Sequence, residues 1–210
     1  MKNRIPILLL TICAVVFSSC YQSNKYNNRD DFSTEPSPKG NAVIITKYEG
    51  QDIVNISVPP RINNKRVTEI YHSAFGDLEI LSITIPETIV KIGEWSFSGN
   101  FITKFVIPKK VTEIGTGAFM DNRLTHITIP KSVKKIGYRA FCQNPLKSIT
   151  IGKDVKLEAL KGYDSMLNED WAYYAFEMGL ELEFDDYYRQ NGSKAGTYVL
   201  RNGAWLYQDK

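Results

Sequence analysis

The side chains of this 210-residue chain that could carry out covalent chemistry are few and far apart. His72 and His126 lie in different segments, and Cys142 follows a phenylalanine expected in the core, where a thiol behaves as a small inert hydrophobe. No His/Cys cluster has metal-ligand spacing, and no glycine-rich loop could cradle a phosphate. Asn168-Glu169-Asp170 and Asp185-Asp186 gather oxygen donors without the alternating spacing of a calcium loop. Adjacent carboxylates in a helix or strand also diverge rather than face each other across a substrate. These features argue against an enzyme and against a metal or organic cofactor. What remains is binding chemistry. Lys104, Lys109 and Lys131, with His126 and Thr128, offer positive charge and hydrogen bonds suited to an acidic protein or a sulfated glycan. The alternative for any one of these lysines is a solvated face that keeps the protein soluble.

The elements that would position these residues follow from a repeat. Phe75, Phe97, Phe119 and Phe141 recur every 22 residues, as do Ile70, Ile92, Ile114 and Ile136. Three more columns keep the same step: Ile80, Ile102, Leu124, Leu146; Ile83, Phe105, Ile127, Ile149; and Ile85, Ile107, Ile129, Ile151. A fixed period of this length means stacked coils sharing one core. Within each unit the run ending in Ile127-Thr-Ile129-Pro130 alternates apolar and polar residues, which predicts a strand with one buried face and a proline stop. Lys104, Val106, His126 and Thr128 then point outward, beside Ser82, Thr84, Ser148 and Thr150. Asn100, Asn122 and Asn144 read as a ladder satisfying backbone groups that a tight coil leaves unpaired. Glu69, Lys91, Glu113 and Lys135 alternate in sign down the stack and suit register more than affinity.

The unit best seen from Leu124 to Asn144 resembles the BspA-like leucine-rich repeat, and the likeness extends over about residues 42 to 207. It implies a bacterial surface or secreted protein, adhesin-like, engaging a host or bacterial surface partner. Fold alone does not fix that function. The expected architecture is a repeat solenoid of mixed α/β character over residues 41–156, with about four 22-residue units. Strands Asn41–Lys47 and Ile53–Val58, across a turn at Glu49-Gly50, should cap its start. A helix drawn from 157–189 and a hairpin around Asn202-Gly203 should form a C-terminal cap, 157–210.

The chain opens on Lys2 and Arg4 followed by an apolar run from Ile5 to Phe17, the pattern of an export signal. Phe17-Ser18-Ser19-Cys20 resembles the lipobox of bacterial lipoproteins, with Phe17 where leucine is usual. The resemblance implies removal of residues 1–19 and a membrane anchor through lipid on Cys20; ordinary secretion with cleavage nearby is the alternative. Residues 20–40, polar and proline-bearing, read as a flexible tether. Losing Lys2 and Arg4 lowers the formal charge from +3 to +1. The charge that remains is uneven: residues 87–156 hold 12 Lys or Arg against 5 acids, and residues 157–188 hold 9 acids against Lys161. Neither block reads as a nucleic-acid module. With Cys142 alone left in the body, burial rather than disulfides must hold the fold. The expected location is the cell envelope, at the outer membrane or cell surface. Two other readings are a periplasmic scaffold, and a carbohydrate-binding module built on Trp171, Trp205 and Tyr207.

Overall fold

The computed structural model describes residues 26–38, 40–158, 184, 187–188, 191–202 and 204–208. The first strands are β1 (Phe32–Pro36), β2 (Ala42–Tyr48), β3 (Asn55–Ser57), β4 (Arg61–Ile62) and β5 (Lys65–Ile70). Through the repeats run β6 (Ser82–Thr84), β7 (Lys91–Ile92), β8 (Glu113–Ile114), β9 (His126–Thr128), β10 (Lys135–Ile136), β11 (Ser148–Ile151) and β12 (Lys156–Leu157). The chain ends in β13 (Gly196–Arg201) and β14 (Ala204–Gln208).

These strands wind a β-solenoid with two sides. One side is a continuous sheet in the order β1-β2-β5-β7-β8-β10-β12, with β4 added on β5. The other is interrupted: β3 pairs with β6, and separately β9, β11, β13 and β14 form a four-stranded sheet. Like columns meet like, since Ile70, Ile92, Ile114 and Ile136 sit in register on neighbouring parallel strands. The phenylalanine column becomes a stack through the core, with successive ring centroids 5.3, 5.2 and 5.3 Å apart from Phe75 to Phe141.

The mixed α/β expectation gives way here: among the described residues the return leg of each coil is a short strand and turns, with no helix. Ser73, Trp95, Gly117 and Arg139 all have φ between 50° and 60°, as one column. Asp77, Gly99, Asp121 and Gln143 form a second left-handed column. Two such kinks per coil end any helix before it can propagate. The glycine two residues before the kinks at Trp95, Gly117 and Arg139 serves a different need. A Cβ on Gly93 would lie 2.7 Å from the Ile70 carbonyl oxygen, and one on Gly115 would lie 2.5 Å from the Glu94 nitrogen. The coils approach too closely there for any side chain.

The asparagine ladder joins neighbouring coils. Asn122 donates through Nδ2 to the carbonyls of Phe97 in the preceding coil (2.8 Å) and Phe119 in its own (3.2 Å), while its Oδ1 accepts from Ile102 N–H (3.1 Å). Asn100 and Asn144 repeat the arrangement one coil before and one coil after. On the continuous sheet the charge column closes into a chain of ion pairs: Lys91 to Glu113 (3.6 Å), Glu113 to Lys135 (3.3 Å) and Lys135 to Glu158 (3.1 Å).

Both caps differ from expectation. The predicted N-terminal pair is the first coil itself, β2 lying parallel to β5 and β3 parallel to β6. The covering strand is β1, antiparallel to β2, which belongs to the segment 20–40 expected to be a tether. Phe32 provides the reason, because its buried ring packs on Tyr48 (5.4 Å) and closes the aromatic stack. At the other end the predicted hairpin is present, and β13 pairs antiparallel with β11. A helical cap has no support. Most of 157–189 lies outside the described residues, and of those described only Phe184, Tyr187 and Tyr188 are helical, too little to establish the expected helix.

Candidate binding face

The interrupted side of the solenoid contains the feature that sets this face apart. Paired coils there share a bond at the strand end: Val58 N–H donates to the Thr84 carbonyl and Ile129 N–H to the Thr150 carbonyl. At the third coil this bonding stops. Residues 104–106 form no strand, and no backbone bond ties them to β6 or β9. The coil is still held at both ends of the gap, by Arg123 N–H to the Ile102 carbonyl (3.0 Å) and by Thr112 N–H to the Val90 carbonyl (2.9 Å). The disruption is therefore local.

Phe105 accounts for it. It occupies the column that Ile83, Ile127 and Ile149 fill in paired strands. Its ring centroid sits 5.2 Å from Phe97 and 4.6 Å from Phe119, wedged beside the core stack. A close-packed interior has no spare volume for a ring in place of an isoleucine, and the segment that carries the ring is the one without strand pairing. Val106, at the outward position that Thr84 and Thr128 hold in paired strands, is 81% exposed.

Between the third and fourth coils lies a cleft of about 810 Å³. Its apolar part comes from Phe105, Val106, Ile107 and Pro130. Lys104, Lys109, His126, Thr128 and Lys131, the residues singled out from the sequence, all line it. Among the described residues none of the three lysine ammonium groups meets a carboxylate, in contrast to Lys135 on the opposite sheet. The hydrogen bond to Glu158, ahead of the opposing effect of burial, leaves the Lys135 ammonium with a pKa above the usual lysine value. Reading outward polarity found the charged rim and missed the apolar floor. The signal was there, since Phe105 is the one ring in an isoleucine column and Val106 the one apolar residue among the outward positions.

Cys20 lies outside the described residues, as do Trp171, Asp170 and Asp185. Trp205 is buried against Phe184 (5.1 Å), and Tyr207 lies half-buried against Tyr198 (5.2 Å), so both rings serve the cap. Within that cap burial pushes the Tyr198 hydroxyl up to about 12, and raises that of Tyr188 as well.

Comparison with known proteins agrees with this geometry. A family model described as the BspA type leucine rich repeat region matches in 6 copies over residues 47–161. Among solved structures, a leucine rich repeat protein of T. pallidum superposes with a TM-score of 0.52 at 19% identity, covering 75% of this chain and 97% of that one. A leucine-rich repeat protein from Bacteroides ovatus gives a TM-score of 0.48 at 25% identity, covering 61% of this chain and 36% of that one. One from Bacteroides capillosus gives 0.49 at 19% identity, covering 65% and 100%. No curated protein matches. Six matched copies over more than half of the sequence, on a solenoid whose columns step by 22 residues, place this chain in the BspA-type leucine-rich repeat family.

Proposed function

We propose that this protein is an adhesin-like binding protein of the bacterial cell envelope, held to a membrane by lipid on Cys20, and that it captures its partner on the interrupted face of the solenoid. The observation that carries the reading is the cleft at the third coil, where three lysines whose ammonium groups meet no carboxylate among the described residues surround an apolar floor. Small-molecule pockets of about 300–1,000 Å³ combine an apolar lining with a few placed polar groups, and a cleft of this size and lining can seat a short stretch of a partner's side chains. A protein partner fits better than a glycan, because the cleft presents aliphatic surface and a buried ring rather than an exposed aromatic platform. One face of a short solenoid offers limited area for tight monovalent capture, and many anchored copies would offset this through avidity.

The test is protease treatment of intact cells carrying the native protein, beside a Cys20→Ala variant. Loss of the native protein to protease, with the variant shed into the medium, is the expected result. Protection of the native protein in intact cells would sink the adhesin reading and favour a periplasmic scaffold.

A further inference from the structure

The lining of the cleft includes backbone as well as side chains, and among the described residues part of that backbone, on each of two facing walls, has no main-chain partner. Along a strand, successive N–H and C=O groups point to opposite edges. Ile129 N–H points toward β11, where it donates to Thr150. Ile127 therefore faces the same way, and the amides of His126 and Thr128 face the cleft. On the cleft's other wall, residues 104–106 have no backbone partner either. Phe105 packs in the core beside Phe97 and Phe119, and the segment that carries it does not pair with β9.

We propose that this vacant position is a β-strand acceptor, and that its occupant is an extended, acidic segment of a partner protein. This deepens the proposed function and rests on it. A strand laid beside β9 would exchange main-chain hydrogen bonds with His126 and Thr128, the mode in which a sheet edge captures a peptide. Alternate side chains of that strand would point down onto Phe105 and Pro130, which selects apolar residues there. The intervening side chains would point outward among Lys104, Lys109 and Lys131, which selects carboxylates. A sulfated glycan would satisfy the lysines and leave both the amides and the apolar floor unused.

The test uses the full chain and a capped peptide of alternating valine and glutamate, with backbone hydrogen exchange as the readout. Binding should slow exchange at His126 and Thr128. The same peptide methylated on alternate backbone nitrogens should bind at least about tenfold more weakly. Phe105→Ile, which restores the column, should protect residues 104–106 without any peptide and weaken peptide binding by a similar factor. Equal binding of the methylated peptide, or equal binding by Phe105→Ile, would overturn the strand acceptor and leave only charge attraction at the face. Heparin binding that is lost in a Lys104→Gln, Lys109→Gln, Lys131→Gln variant, with no binding of the peptide, would also overturn it while keeping the face as the binding surface. If that triple variant kept its attachment to partner-bearing cells, the proposed function itself would fail.

Discussion

At the residue scale, the energetic weight falls on small polar groups and on close backbone approach. Asn122 is 4% exposed and satisfies backbone groups in two coils at once. Asn122→Ala would leave these groups buried and unpaired, at about 1–3 kcal/mol for each. Chemical denaturation should show a loss of at least about 2 kcal/mol, and a smaller one for Asn144→Ala, whose site is less buried. A comparable loss is expected for Gly115→Ala, since the added methyl would meet the Glu94 backbone rather than a side chain that can swing away. Both columns are legible from sequence, because identical residues at identical spacing declare a shared job. The ring at Phe105 stands out in its isoleucine column, but its effect on pairing is not legible there, because column membership says that a residue is buried and says nothing of whether its volume fits.

At the scale of elements, the caps decide whether the stack survives alone. Beginning the chain at Asn41, as the polar composition of 20–40 would suggest, removes β1 and bares both the β2 edge and the Tyr48 ring. Such a chain should self-associate in size-exclusion chromatography at concentrations where the full chain does not. Composition misled here because one phenylalanine in a polar segment is enough to seat a strand when an open sheet edge and an aromatic stack await it. At the C-terminal end, Tyr198 is fully buried and its hydroxyl donates to the Lys194 carbonyl (2.8 Å). Desolvation is the main reason its pKa rises to about 12 from the ordinary 10. A phenol that ionises less readily when folded contributes stability that is fully present below pH 10 and is lost as the pH climbs toward 12. Alkaline unfolding should therefore steepen across that window, and Tyr198→Phe should flatten part of the fall, with Tyr188 accounting for some of the remainder. The hairpin of this cap was legible from Asn202-Gly203, a turn signal that works locally. The helix was inferred from aromatic density alone, which marks a core and does not specify the backbone that builds it.

At the scale of the whole molecule, charge and architecture are divided between two sides. The continuous sheet neutralises its charges in a ladder, while on the interrupted side three lysine ammonium groups line a cleft and meet no carboxylate among the described residues. Capture of an acidic partner should weaken as salt is raised from about 0.01 M to 0.15 M, where the screening length falls from roughly 30 to 8 Å. Surface-plasmon measurements should find that loss mainly in the association rate. The 22-residue step made the stack readable, and the division between its sides was readable only in part, because the paired charges share a column while the cleft needs a packing conflict to open it. The same asymmetry also has a mechanical side. A rod fastened along one flank and slit across the other resists bending in one plane and yields in the other. At the level of the third coil the slit flank has no strand pairing, so bending there is resisted by the asparagine ladder and by the bonds from Phe101 to Ile80 and from Arg123 to Ile102.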